Sequence, residues 1–125
     1  MGPIEQQLSE LQTEFPEATA EVGSDGTTIV TVPGIRLPSG WNQTETFVQF
    51  VAPLGYPMAQ PDCFWTDERL RLANGGIPKS SGVQTPAFGG PAKLWFSWHV
   101  GTWNGSRDTL RSYLGVILNR LQRPE

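Results

Sequence analysis

The chain of 125 residues contains one cysteine and one histidine, and each scarcity excludes something. A lone thiol closes no internal disulfide, and no charged n-region followed by an apolar h-region opens the chain, so the expected compartment is a reducing cytoplasm. One His and one Cys far apart in sequence give no metal-ligand spacing, so neither a metal nor any other cofactor is expected. Basic charge is also short. Lys plus Arg number 9 against 12 Asp plus Glu, and the net charge of −3 offers no footprint for phosphate backbones, which excludes nucleic acid as an expected partner. No apolar run approaches the roughly 20 residues needed to cross a bilayer, so no membrane association is expected. Glycine and proline, by contrast, are plentiful at 14 and 11, without periodicity and concentrated between elements, where they mark turns. The length fits one domain, residues 1–125, large enough to bury a core without staples.

Ile4, Leu8, Leu11 and Phe15 fall on one stripe of a helix that Pro16 terminates. The period then changes. Thr27–Val32 is β-branched throughout after the turn signal Ser24-Asp25-Gly26, and Thr46–Val51 is a second β-rich run. Pro33-Gly34, Pro38-Ser39-Gly40 and Pro53-Leu54-Gly55 punctuate these at meander spacing, which predicts three or four antiparallel strands. Residues 66–93 are rich in Gly and Pro with little periodicity, the pattern of a long loop that covers a site or moves. Leu94–Val100 reads as a strand. Ser106–Leu121 reads as a helix with Ser106 as N-cap, Asp108 in the first turn, and a buried stripe of Leu110, Tyr113, Leu114, Ile117, Leu118 and Leu121. The fold class is therefore α+β: helix, antiparallel meander of about four strands, Pro-rich turn, long loop, helix.

Tyr56-Pro57-Met58-Ala59-Gln60-Pro61-Asp62-Cys63-Phe64-Trp65 is a stiff turn, because each Pro fixes its own φ and biases the residue before it towards extended backbone. Its spacing resembles the Tyr-Pro-x-x-Pro-Pro-x-Val-x-Phe signature of the ubiquitin-conjugating enzyme superfamily. In that register Pro61 falls on the second Pro, Cys63 on the buried Val and Trp65 on the Phe, while Gln60 replaces the first Pro. Trp103-Asn104-Gly105-Ser106-Arg107-Asp108-Thr109-Leu110 looks like the Trp-Ser-Pro-x-x-Thr-Ile segment that opens the family's crossover helix. The element order agrees across nearly the whole chain, as in a minimal, prokaryotic-type member without the usual last two helices.

The resemblance implies a carrier that accepts the C-terminal glycine of a ubiquitin-like protein from an activating enzyme, holds it as an ester, and passes it to an amine. The nucleophile is normally Cys. Here Cys63 falls where the family has a core residue, and a thiol in apolar surroundings is a poor nucleophile, so the expectation for Cys63 is core filling. Opposite the family's Ile-Cys-Leu lies Phe96-Ser97-Trp98, which puts a serine where the cysteine would be. If residues 93–100 are extended, Leu94, Phe96, Trp98 and Val100 share one face and Lys93, Trp95, Ser97 and His99 the other. Two such same-face neighbours sit roughly 6.6 Å apart along the strand, within reach of a hydrogen bond or one bridging water. A serine hydroxyl needs an adjacent base, and imidazole suits neutral pH. Ser97 as oxyester carrier with His99 as base or orienter is the expected site.

The family's His-Pro-Asn tripeptide, whose Asn steadies the oxyanion, has no counterpart; Asn74, Gln84 and the backbone N–H groups of Gly89 and Gly90 are candidates by type. Asp108 either orients His99 or is a first-turn acid, the latter being favoured. Trp95, on the Ser97 face, is a candidate partner contact. Arg107, Arg111, Arg120 and Arg123 oppose Glu5, Glu10 and Glu14 in sign and read as solvated faces. Two other readings compete with the carrier: a catalytically inert variant that binds a ubiquitin-like protein or scaffolds the conjugation complex, and a small α+β binding module unrelated to the family.

Overall fold

The computed structural model describes residues 2–125. Helix α1 spans Pro3–Gln12, with Pro3 in the first turn, where its missing N–H would be unpaired in any case. Leu11 is fully buried, and Ile4, Leu8 and Phe15 pack beside it as the stripe predicts. Strands β1 (Thr19–Val22) and β2 (Thr28–Arg36) form a hairpin whose turn uses Gly26 at φ 87°, while the Asp25 carboxylate accepts both the N–H and the hydroxyl of Thr27.

Antiparallel pairing continues from β2 to β3 (Glu45–Ala52), and from β3 to β4 (Phe64–Thr66). Pro33-Gly34, expected to end a strand, lies inside β2 at an irregularity between Val32 and Ile35, where Gly34 adopts φ 74° and the strand continues beyond it.

The sheet has six strands rather than about four. Within the segment expected to be irregular, Ser81–Gln84 forms β5, a polar edge strand with no apolar alternation to reveal it, and β6 covers Lys93–Phe96. The spatial order is β1-β2-β3-β4-β6-β5, so the last strand to form in sequence lies between β4 and β5.

Helix α2 spans Leu110–Leu121 and starts later than Ser106. Its N-cap is Thr109, in a reciprocal box in which Thr109 Oγ1 accepts the Ser112 N–H at 3.2 Å and Ser112 Oγ accepts the Thr109 N–H at 2.7 Å. Asp108 precedes the helix, and its carboxylate accepts the Asn104 N–H at 2.8 Å. The buried stripe is as predicted except that Leu118 is only partly buried, and it has one addition. Arg120 is only 2% exposed: its guanidinium donates to the carbonyls of Lys79, Arg123 and Glu125 and stacks 5.3 Å from the rings of Phe96 and Trp98. A buried charge survives because its donors are met by carbonyls.

Val30, Val32, Val48, Phe50, Phe64 and Phe96 form the sheet's contribution to the core, and Leu110, Tyr113, Leu114 and Ile117 that of α2. Phe50 and Tyr113 meet at 5.0 Å. The two motif segments pack on each other: Trp103 Nε1 donates to the Pro57 carbonyl at 2.8 Å, and the Tyr56 and Trp103 rings lie 6.0 Å apart. Gly105 allows this closeness, since a Cβ there would stand 2.5 Å from the Pro57 oxygen. Gly105→Ala is therefore expected to cost about 1–3 kcal/mol by overpacking, read as a fall in the urea midpoint at unchanged m-value. Thr109→Ala, which removes one arm of the cap, should cost about 1 kcal/mol in the same measurement.

Candidate functional site

The ladder between β4 and β6 ends at the Phe64–Phe96 pair. One step beyond it the Cys63 N–H donates to the Trp98 carbonyl at 2.9 Å, and on the opposite side the Ser97 N–H donates to the Ser80 carbonyl at 2.8 Å. Residues 97–98 are thus held between the residue that precedes β4 and the one that precedes β5. Cys63 and Ser80, at φ 60° and 61°, are the two non-glycine residues with positive φ among those described. That conformation costs on the order of 1 kcal/mol or more for an L-residue, and it persists only where the surroundings impose it. Both instances flank Ser97.

The left-handed turn at Cys63 also shifts the motif register. Phe64 and Thr66 point into the core, whereas Trp65 is half-buried and Cys63 precedes the strand, itself half-buried. The expectation that Cys63 is a core residue on a strand is corrected accordingly. Its carbonyl accepts the Tyr113 hydroxyl at 2.8 Å, which fastens this corner to α2.

The imidazole of His99 faces Asp62, with Nδ1 hydrogen-bonded to Oδ1, and both side chains are largely exposed at 62% and 54%. A carboxylate only accepts, so Nδ1 carries a proton, and in the neutral ring the lone pair falls on Nε2. Asp62, Cys63 and His99 each present a ligand atom within 4.8 Å of the others. The expectation that the lone Cys and lone His form no cluster does not hold: the β4–β6 pairing brings them together. Burial pushes the Cys63 thiol above its ordinary pKa, the backbone N–H of Trp98 pulls it down, the Asp62 charge raises it again, and the Trp95 indole N–H lowers it. Asp62 escaped sequence reasoning because nothing in its spacing ties it to residue 99. Its position beside Cys63 in the Pro-bounded turn was the available hint.

The other candidates are spread out. Ser97 is half-buried just past the end of β6, so the alternation expected over 93–100 is that of a strand only as far as Phe96. Trp95 is half-buried and lies 6.3 Å from Trp65 across the sheet, and Phe88 meets Trp65 edge-on at 6.1 Å. Gln84 pairs with Lys93 at the far end of β6, and Asn74 accepts the Gly76 N–H within its own turn. Gly89 and Gly90 line a different hollow of about 490 Å³ with Lys93, Gln49 and Thr31. Asp108 serves the Asn104 turn and not His99. Arg111 of α2 and Glu14, in the turn just after α1, form a bidentate pair at 2.9 and 3.2 Å, both largely exposed, and that contact holds the Glu14 carboxyl below its ordinary range.

An antiparallel sheet with a helix at each end of the chain, a Tyr-Pro turn before β4 and a Trp-led segment before α2 defines an E2-like α+β domain. The chain matches the prokaryotic E2 family E over residues 5–124 and belongs to that family. Membership places it, at family level, in ubiquitin-like conjugation as a carrier, with a ubiquitin-like protein and an activating enzyme as partners in general terms. No curated protein and no solved structure matches the chain. No helix among the described residues is long and apolar enough to cross a membrane.

Asp62→Asn removes one cause of the raised thiol pKa. It should speed alkylation of native Cys63 near neutral pH and move the pH–rate profile to lower pH, measured by mass spectrometry of iodoacetamide-treated protein.

Proposed function

We propose that this chain carries a ubiquitin-like protein as an oxyester on Ser97, with His99 as general base, in a reducing compartment. The observation that supports this most is the Asp62–His99 pair standing beside the segment that holds Ser97. A hydroxyl needs a base with a defined tautomer, and the Asp62 carboxylate supplies that definition by occupying Nδ1 and leaving Nε2 to take the proton.

In the loading step Ser97 Oγ attacks the carbonyl of the glycine ester delivered by the activating enzyme. The hydroxyl proton passes to Nε2 and then to the leaving group. In the discharge step an amine attacks the same carbonyl and Ser97 recovers its proton. The Trp98 backbone N–H and the Trp95 indole N–H, the two groups that pull the Cys63 thiol downward, are donors of the right type for a developing oxyanion at this corner. Trp95 also offers a flat surface beside an extended glycine-ended tail.

A second reading is favoured by one observation, the placement of the Cys63 sulfur within the same cluster as His99 and Asp62. A thioester on Cys63 would use that proximity. Burial and the neighbouring carboxylate both disfavour the thiolate, which is why the hydroxyl is preferred here.

The test is incubation with the cognate activating enzyme, ubiquitin-like protein and ATP. The expected product is an adduct that resists thiol, yields to hydroxylamine or base, and is lost in Ser97→Ala; His99→Ala should slow its formation by about 10²–10⁴-fold. A thiol-labile adduct lost in Cys63→Ala overturns the serine in favour of the cysteine. Absence of any adduct under conditions where the partners bind leaves a non-catalytic scaffold.

A further inference from the structure

We infer that Asp62, Cys63 and His99 form a binding site for a thiophilic divalent cation of the zinc type, with one coordination position open. The site stands apart from the identity of the ester-bearing atom, because Ser97 is not among its ligands. The three ligand atoms lie within 4.8 Å of one another, and they are of three kinds: thiol sulfur, imidazole nitrogen and carboxylate oxygen. Sulfur with nitrogen selects zinc and its neighbours over magnesium or calcium, which take oxygen shells.

Charge favours the same cation. Binding releases the thiol proton to solvent, so a thiolate, a carboxylate and a neutral imidazole meet a divalent ion and leave the filled site formally neutral. Tetrahedral coordination at about 2.0–2.3 Å requires ligand atoms roughly 3.3–3.8 Å apart, so the widest separations must close by up to roughly 1–1.5 Å while the hydrogen-bonded Asp62–His99 contact opens to admit the ion. The exposure of the His99 and Asp62 side chains leaves them room to rotate inward, and the same exposure leaves the remaining position open to water or a ligand. Cys63 is the rigid member: its φ of 60°, its N–H bond to Trp98 and its carbonyl bond to Tyr113 fix where the sulfur stands.

The test uses the full chain, stripped of metal by chelator and titrated with Co2+, then with Zn2+ in competition. One equivalent of Co2+ should bring the visible bands of a four-coordinate ion together with a near-ultraviolet thiolate-to-cobalt band, and Zn2+ should abolish both. Zn2+ should also slow alkylation of Cys63 by at least about tenfold, since the metal holds the thiolate. Cys63→Ala should lose the charge-transfer band. His99→Ala, whose ring is largely exposed and whose loss leaves the fold intact, should weaken binding by at least about tenfold. Cobalt bands without the thiolate transition, bands that survive Cys63→Ala, or unchanged affinity in His99→Ala would mean an adventitious ion only and would overturn the site. The adduct assay for Ser97 is run in chelator, so either proposal can fail without the other.

Discussion

The pairing of β4 with β6 is the contact on which the functional corner depends. It joins Phe64–Thr66 to Leu94–Phe96 and stacks Phe64 on Phe96 with ring centres 4.6 Å apart, nearly parallel, beneath α2. Because the strands are antiparallel, the residues just before one meet those just after the other. Asp62 and Cys63 therefore come to His99 and Trp98 without any local motif linking them. The Pro-bounded turn fixes where β4 begins, and the Tyr113 hydroxyl bond to Cys63 ties that beginning to the helix layer.

Most of the framework was legible in the chain. The stripe Ile4, Leu8, Leu11, Phe15 and the stripe Leu110 to Leu121 are helical patterns imposed by burial against one layer, and burial is what periodicity reports. The β-branched runs that became β2 and β3 were equally plain. What escaped was decided by geometry rather than pattern. β5 is a polar edge strand, held by its ladder to β6 and not by an apolar face, so it left no alternation. The start of α2 moved to Thr109 because a Thr–Ser box at three-residue spacing out-competes Ser106, whose N–H is taken by the Asn104 side chain. Arg120 reads as a surface charge on any helical wheel, and only the convergence of three carbonyls explains its burial.

At the candidate site, the family resemblance and strand alternation nominated Ser97 and His99 but gave nothing of their surroundings. Asp62 was out of reach because its relation to His99 is purely tertiary, and the register of Cys63 was misread because a positive φ on a non-glycine residue leaves no mark in composition. The same corner joins two chemistries that pull in different directions. A lone pair on Nε2 is needed for proton transfer, while a ring nitrogen, the sulfur and the carboxylate together suit a cation. Occupation by metal and use of His99 as a base are mutually exclusive, so the corner can serve only one at a time.

The two borders of the sheet, β1 and β5, are four residues each, and they leave few unpaired N–H and C=O groups facing outward. Long, flat borders recruit other chains into continuous ribbons, whereas short ones give a foreign strand little to hold. With Glu21 on one border and Gln84 on the other, and Gly82 weakening any added pairing, these edges offer little template for a foreign strand even though the interior strands are strongly β-forming.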